Sequence, residues 1–299
     1  MKNEILFKEL YSLLEHQLTL LPDKPEETYE STLAALWLLA AGERISAEGA
    51  ITKALPELKK EEEDTLRKLV EKRISGVPLA HLTERQQFMG IELLTNNKAL
   101  IPRKETEILG RAALNLLKGI LQKGNDEITA FDLCCGAGNL AVALSLYVPE
   151  VRFFASDLSR DAVELARENV RFHRLEDRVR VAAGSVFEAF EDDGFTGEVD
   201  IIICNPPYIS DAKVSQMTRE ISDHEPDLAF KGGMLGLSII TELIRKAPLF
   251  LKKEGWVAFE VGLGQGDFVK QLCEKTSLYE EVKAVTDEDG NIRVIIARK

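Results

Sequence analysis

From Ile128 onward, short apolar runs alternate with amphipathic stretches, and this alternation constrains the fold of the chain more than any other feature. Ile128 to Leu133, Val151 to Ser156, Val179 to Ala183, Val199 to Cys204 and Trp256 to Val261 are rich in β-branched and aromatic residues, as buried strands are. Between them, Asn139 to Tyr147, Ser159 to Phe172, Leu237 to Leu251 and Asp267 to Lys275 read as helices. Parallel strands need long crossover connections, and helices supply them while covering the sheet. The spacing therefore predicts an α/β fold with a doubly wound sheet. Val282 to Thr286 and Ile292 to Ala297 flank Asp287-Glu-Asp-Gly-Asn291 and predict an antiparallel hairpin at the sheet edge.

The first part of the chain has a different period. Leu6, Leu10, Leu13, Leu14, Leu18 and Leu21 predict a helix over 4–21, ended by Pro22 and Pro25. Thr32 to Ala41 is almost wholly apolar. Ser46 caps a stretch to Leu55, and Glu61 to Ile74 is amphipathic with acids in its first turn. Residues 1–75 thus predict a small all-helical domain that docks a partner or substrate. Gly76-Val-Pro78 breaks the pattern. Gln87 to Thr95 and Lys98 to Pro102, joined at Asn96-Asn97, predict a β-hairpin linker over 76–103. Thr106 to Leu121 then opens the second domain, 104–299.

Length and charge narrow the function classes. A chain of 299 residues suits two domains. Its net charge of −12 argues against stable nucleic-acid binding through phosphate contacts. The apolar run Leu33 to Ala41 is too short for a bilayer, and Met1-Lys-Asn-Glu4 lacks a signal-peptide core. Cys134, Cys135, Cys204 and Cys273 form no Cys-x-x-Cys pair and no His cluster accompanies them, so no metal site and a reduced, cytoplasmic protein are expected.

Two constellations carry chemistry. After the first strand of the second domain comes Asp132-Leu-Cys-Cys-Gly136-Ala-Gly138-Asn139, then a helix. Glycines let a ligand approach the backbone closely, and the crevice beyond the strand ends is the usual ligand site in such a sheet. Asp157 ends the next strand, where a carboxylate accepts ribose hydroxyls. A nucleoside-bearing cofactor is expected. Ala141 at the third glycine position leaves a dinucleotide open. The second constellation is Asn205-Pro206-Pro207-Tyr208, directly after the apolar strand Ile201 to Cys204. The prolines stiffen the backbone and leave carbonyls available. Asn205 offers an acceptor and two donors, and Tyr208 a flat face and a hydroxyl. Such a site suits a planar amide or an aromatic amine.

Gly262-Leu-Gly-Gln-Gly266 reads as a strand-to-helix turn, and Glu260 before it as a buried carboxylate in need of a partner.

Together these residues resemble the release-factor glutamine N5-methyltransferases within the class I S-adenosylmethionine-dependent methyltransferases. The resemblance spans roughly residues 70–299. It rests on Arg73-Ile-Ser-Gly-Val-Pro-Leu79, Phe88-Met-Gly90, Ile101-Pro-Arg-Lys-Glu-Thr-Glu107, the glycine loop, Asp157, Asn205-Pro-Pro-Tyr-Ile209, Glu225-Pro-Asp-Leu-Ala229 and Glu260-Val-Gly-Leu-Gly-Gln265. It implies a helical N-terminal domain, a hairpin linker and a Rossmann-like, seven-stranded catalytic domain. The implied cofactor is S-adenosyl-L-methionine, with S-adenosyl-L-homocysteine as product. Asp132, Cys134, Cys135, Gly136, Ala137, Gly138, Asp157, Ser185, Val186 and Asn205 would hold it. Asn205, Pro206, Pro207 and Tyr208 would be catalytic and, with Glu225, bind substrate. The implied acceptor is a glutamine in the Gly-Gly-Gln loop of a peptide chain release factor, a protein partner. Asn-Pro-Pro-Tyr also suits adenine, so adenine N6-methylation of DNA or RNA is a second expectation, beside transfer to another protein or a small molecule. The sequence departs from the family at Cys134 and Cys135, where Gly-Thr is usual, at Lys104 for proline, and at Ser185 for an acid.

Overall fold

The computed structural model describes residues 2–19, 27–124, 127–191, 193–207 and 237–299. Among these the chain forms two compact units, one up to Asn97 and one from Lys98 onward.

In the first unit, α1 (Lys2–Leu18), α2 (Tyr29–Ala40) and α4 (Lys60–Ile74) enclose a core, with short helices α3 (Ala47–Ala50) and α5 (Leu79–Thr83) beside them. Sequence explains the centre. Because α2 is apolar around nearly its whole circumference, it is buried nearly all round. Leu33, Leu36 and Trp37 meet Leu10 and Leu14 of α1 and Leu66 and Val70 of α4. Trp37 stays satisfied by donating its indole N–H to Pro56 O at 2.9 Å. Ser46 caps α3 as expected, but that helix stops at Ala50, short of Leu55.

The hairpin lies elsewhere than the sequence predicts. Strand β1 (Arg85–Phe88) pairs antiparallel with β2 (Ile91–Leu94) and turns at Met89-Gly90. Both turn residues have positive φ, 52° and 79°, which the right-handed twist of a two-residue hairpin requires. Asn96-Asn97 follows the second strand instead of joining two strands.

The second unit opens with α6 (Thr106–Gln122) and continues β3 (Ile128–Leu133), α7 (Asn139–Tyr147), β4 (Val151–Asp157), α8 (Arg160–Phe172), β5 (Val179–Ala183) and β6 (Val199–Cys204). After 208–236 come α9 (Ser238–Phe250), β7 (Leu251–Glu260), α10 (Gly266–Thr276), β8 (Glu281–Thr286) and β9 (Ile292–Arg298). The seven strands form one mixed sheet in the order β5-β4-β3-β6-β7-β9-β8. β5 through β7 run parallel, and β9 runs antiparallel to β7 and β8. The final hairpin forms as expected, but its second strand turns inward and only β8 is at the edge. An aromatic cluster fixes β3: Phe131 contacts Phe190 at 5.0 Å and Phe195 at 5.2 Å, while Phe187 stacks on Phe250 at 4.6 Å.

Gly266 explains its own turn. A Cβ there would sit 2.3 Å from Ile292 Cβ, so only glycine lets α10 start against β9. The Gly262 amide donates to Gln265 Oε1 at 3.0 Å, which fits a strand-to-helix turn.

Candidate functional site

The strand order reverses at β3, with β4 on one side and β6 on the other. A crevice opens beyond the carboxyl ends at such a point. Leu133 pairs with both Ser156 and Cys204, and Asp157 with Ala183. The register therefore brings Asp132, the glycine loop, Asp157, Ser185, Val186 and Asn205 to the same end of the sheet.

The glycine loop is held by its own backbone. Cys135 N donates to Ser156 O at 2.9 Å and Gly138 N to Cys135 O at 2.8 Å. Cys134, Gly136 and Gly138 all have positive φ, at 59°, 53° and 77°. Cys134 thus occupies a conformation that glycine takes without strain and a side chain does not. Gly138 has a packing reason as well, since its Cβ would lie 3.1 Å from Ala166 Cβ. Around Gly136 a Cβ would meet nothing within 4 Å, so the backbone there faces open space.

Two carboxylates frame this loop. Asp157 accepts from Gly136 N at 2.8 Å and Ser159 N at 2.9 Å, one bond to each oxygen. A carboxylate has about four acceptor sites, so beside these amides it keeps capacity for a further donor. Burial raises the Asp157 carboxyl above its ordinary range, against the pull of the Ser159, Gly136 and Leu158 amides. Asp132 is fully buried, and its Oδ2 accepts from Ala141 N at 3.0 Å in the first turn of α7. Its Oδ1 has no hydrogen-bond partner among the described residues. Burial pushes this carboxyl up to about 7, and the Asp157 charge adds to the rise.

These features fit S-adenosylmethionine. An orphaned carboxylate oxygen suits its ammonium group, the free lone pairs of Asp157 suit a ribose diol, and the space at Gly136 admits a ligand against the backbone. On the β5 side, Gly184 N donates to Asp157 O at 3.0 Å and Ser156 Oγ to Val186 O at 2.8 Å, which pins Ser185 and Val186. The Glu188 carboxylate accepts from Ser185 N at 3.2 Å. An acid is therefore present three positions after the serine that stands in for one.

The Asp132 carboxyl yields a pH prediction. A cation held by Asp132 needs it ionised, so S-adenosylmethionine affinity should fall about tenfold per unit below pH 7. Titration calorimetry from pH 7 to 5 measures this, and Asp132→Asn should flatten the profile. A flat profile in the parent protein would remove Asp132 from the cofactor site. In the free protein the sign is opposite. The folded carboxyl holds its proton up to about 7 against an ordinary 3.8, so its contribution to stability is present in acid and is lost as pH rises through that window.

At the end of β6, Asn205 is half-buried, and its Nδ2 donates to Thr106 Oγ1 at 3.0 Å. Thr106 Oγ1 donates in turn to Glu260 Oε2 at 2.8 Å, and an Arg293 guanidinium nitrogen lies 3.5 Å from Glu260 Oε1. Glu260 was legible as a buried acid, but its partners were not. Thr106 begins α6 and Arg293 belongs to β9, and no local signal links them. Pro206 is buried and Pro207 half-buried. Tyr208, His224 and Glu225 lie outside the described residues. Lys104 is exposed in the turn before α6. The Cys135 and Cys204 thiols are pushed well up by burial, so both are neutral near pH 7 and neither supplies a thiolate. Among the described residues, no cluster of His, Cys, Asp and Glu has the makings of a metal site, and no helix is long and apolar enough to cross a membrane.

Comparison with known proteins agrees with this geometry. Residues 111–237 match the methyltransferase small domain family. The chain is 32% identical to a release factor glutamine methyltransferase of Thermodesulfovibrio yellowstonii, over 82% of this chain and 84% of that one. It is 34% identical to one of Thermosynechococcus vestitus, over 74% of each. In fold it resembles the hMettl16 catalytic domain solved with a 3′UTR hairpin, at a TM-score of 0.55 and 14% identity over 77% of this chain and 81% of that one.

Proposed function

Because the chain belongs to the release factor glutamine methyltransferases, we propose that it moves a methyl group from S-adenosylmethionine to the side-chain N5 of a glutamine in a peptide chain release factor. The observation that carries this reading is Asn205, held by its amide nitrogen at the end of β6 beside the glycine loop.

Bound S-adenosylmethionine supplies an electrophilic methyl group on a sulfonium. Asp132, Asp157, the loop Cys134, Cys135, Gly136, Ala137 and Gly138, and Ser185 and Val186 hold it. An amide nitrogen is a poor nucleophile, because its lone pair is delocalised into the carbonyl. The site must therefore orient it rather than deprotonate it. Asn205 Oδ1 and the Pro206 carbonyl accept the two N–H groups, and Pro207 keeps that backbone stiff. By the resemblance to the family, Tyr208 would pack against the substrate and Glu225 would bind it. As the new bond forms the nitrogen becomes acidic and releases its proton, so no strong base is needed beforehand.

The first 75 residues form the helical substrate-recognition domain, residues 76–103 the linker and 104–299 the methyltransferase domain. Four free cysteines and a substrate from the translation machinery fit a cytoplasmic enzyme. One assay tests these readings together. Radiolabelled S-adenosylmethionine is offered with whole release factor, a Gly-Gly-Gln peptide, DNA and RNA. Whole release factor should label at its glutamine at least tenfold faster than the peptide. Equal rates would remove the helical domain from recognition, and label only in nucleic acid would overturn the assigned substrate.

A further inference from the structure

The Asn205 amide has two ends of nearly equal size, and only one is an acceptor. Which end meets the substrate depends on what holds the other. Thr106 Oγ1 receives the Asn205 Nδ2 hydrogen at 3.0 Å. A hydroxyl has a single hydrogen, and that of Thr106 is given to Glu260 Oε2 at 2.8 Å. Toward Asn205 it therefore presents only lone pairs. Arg293 stands 3.5 Å from the other Glu260 oxygen, and a guanidinium can only donate. The direction of every hydrogen along this chain follows from its charged end. Thr106, Glu260 and Arg293 are 2%, 1% and 7% exposed, so bulk water does not reverse it.

We propose that Thr106 and Glu260 are positioning residues that set the polarity of the Asn205 amide. They hold its nitrogen away from the acceptor site and leave Oδ1 toward the substrate nitrogen. The inference rests on Asn205 accepting from that nitrogen, as proposed above. It adds that the α6 start and the β7 end act on the reaction without touching the substrate.

A purely structural role for this chain makes a different prediction, which substitution separates. Thr106→Ser keeps the hydroxyl, whereas Thr106→Val keeps the shape and removes it. Glu260→Gln nearly keeps the shape and supplies donors, which frees the Thr106 hydrogen to point at Asn205 and lets the amide turn over. With saturating S-adenosylmethionine, Thr106→Val and Glu260→Gln should each lower kcat about ten- to hundredfold, the scale of a lost hydrogen bond to a developing charge. The acceptor KM and the S-adenosylhomocysteine affinity should stay within about threefold, and Thr106→Ser should keep kcat within about threefold of the parent. Parental kcat in Thr106→Val, or an equal loss in Thr106→Ser, would overturn the proposal. Should Glu260→Gln fail to fold beside Arg293, the Thr106 pair decides alone.

A second readout needs no acceptor. In protein labelled with 15N-asparagine, the Asn205 side-chain resonance is identified by its disappearance in Asn205→Asp. It should move in Thr106→Val and stay near its parental position in Thr106→Ser. An unmoved resonance in Thr106→Val refutes the polarity chain even if the acceptor has been misidentified. A moved resonance in a protein that methylates no glutamine instead refutes the assigned function and leaves the chain standing.

Discussion

Asn205→Ala should lower the single-turnover rate of methyl transfer by roughly a hundred- to a thousandfold, the scale seen when one preorganised group at a developing charge is removed. The cofactor contacts stay in place, because Asp132, the glycine loop and Asp157 are held by backbone bonds that do not involve Asn205. S-adenosylmethionine affinity should therefore fall by much less than the rate, even though Asn205 borders the cofactor. The loss belongs in kcat, since an acceptor that aligns the amide matters more as positive charge grows on the nitrogen. Asn205→Asp keeps an acceptor but cannot donate to Thr106 when ionised, and it places a second negative charge on a hydroxyl already given to Glu260. It should be impaired as well. Single-turnover transfer at saturating cofactor measures both variants. A parental rate in Asn205→Ala would show that the acceptor site is elsewhere.

Asp157→Ala should weaken S-adenosylmethionine binding by about ten- to a hundredfold. Two effects add. The ribose loses a charged acceptor, and the amides of Gly136 and Ser159 lose the partner that fixes the loop and the start of α8. Asp157→Asn should be intermediate, because its single carbonyl oxygen replaces only one of two acceptors. Titration calorimetry on folded protein gives the answer directly, and unchanged affinity in Asp157→Ala would move the pocket away from β4.

Much of the second unit was legible because chemistry punctuates it. β3, β5 and β6 lie where their apolar runs lie, and α7 runs from Asn139 to Tyr147 as its pattern predicts. Ser159 caps α8 by accepting from Ala162 N. The hairpin was misplaced because Asn96-Asn97 has turn composition, whereas Met89 takes φ 52° with no side-chain signature of it. Gly90 alone carried the signal. α5 is five residues long after Pro78, too short for periodicity to show. The candidate site divides the same way. Residues adjacent in sequence, such as the glycine loop and Asn-Pro-Pro, announce themselves. Thr106 and Glu260 are 154 positions apart, and only the folded sheet makes them partners.

The place of β9 has a consequence in time. It follows β8 in sequence, yet it lies inside the sheet between β7 and β8 and brings Arg293 to Glu260. During synthesis at about 5–20 residues per second, the 33 residues from Glu260 to Arg293 take roughly 2–7 seconds to follow. Through that interval β7 has a bare edge and Glu260 lacks the cation beside it. The glycine loop and Asp157 come from β3 and β4 and precede this step by more than a hundred residues. On the proposal above, a nascent chain completes the strands that carry the glycine loop and Asp157 well before it completes the polar chain from Arg293 to Asn205. By the same proposal, a fragment ending before Arg293 should turn over more slowly than the whole chain.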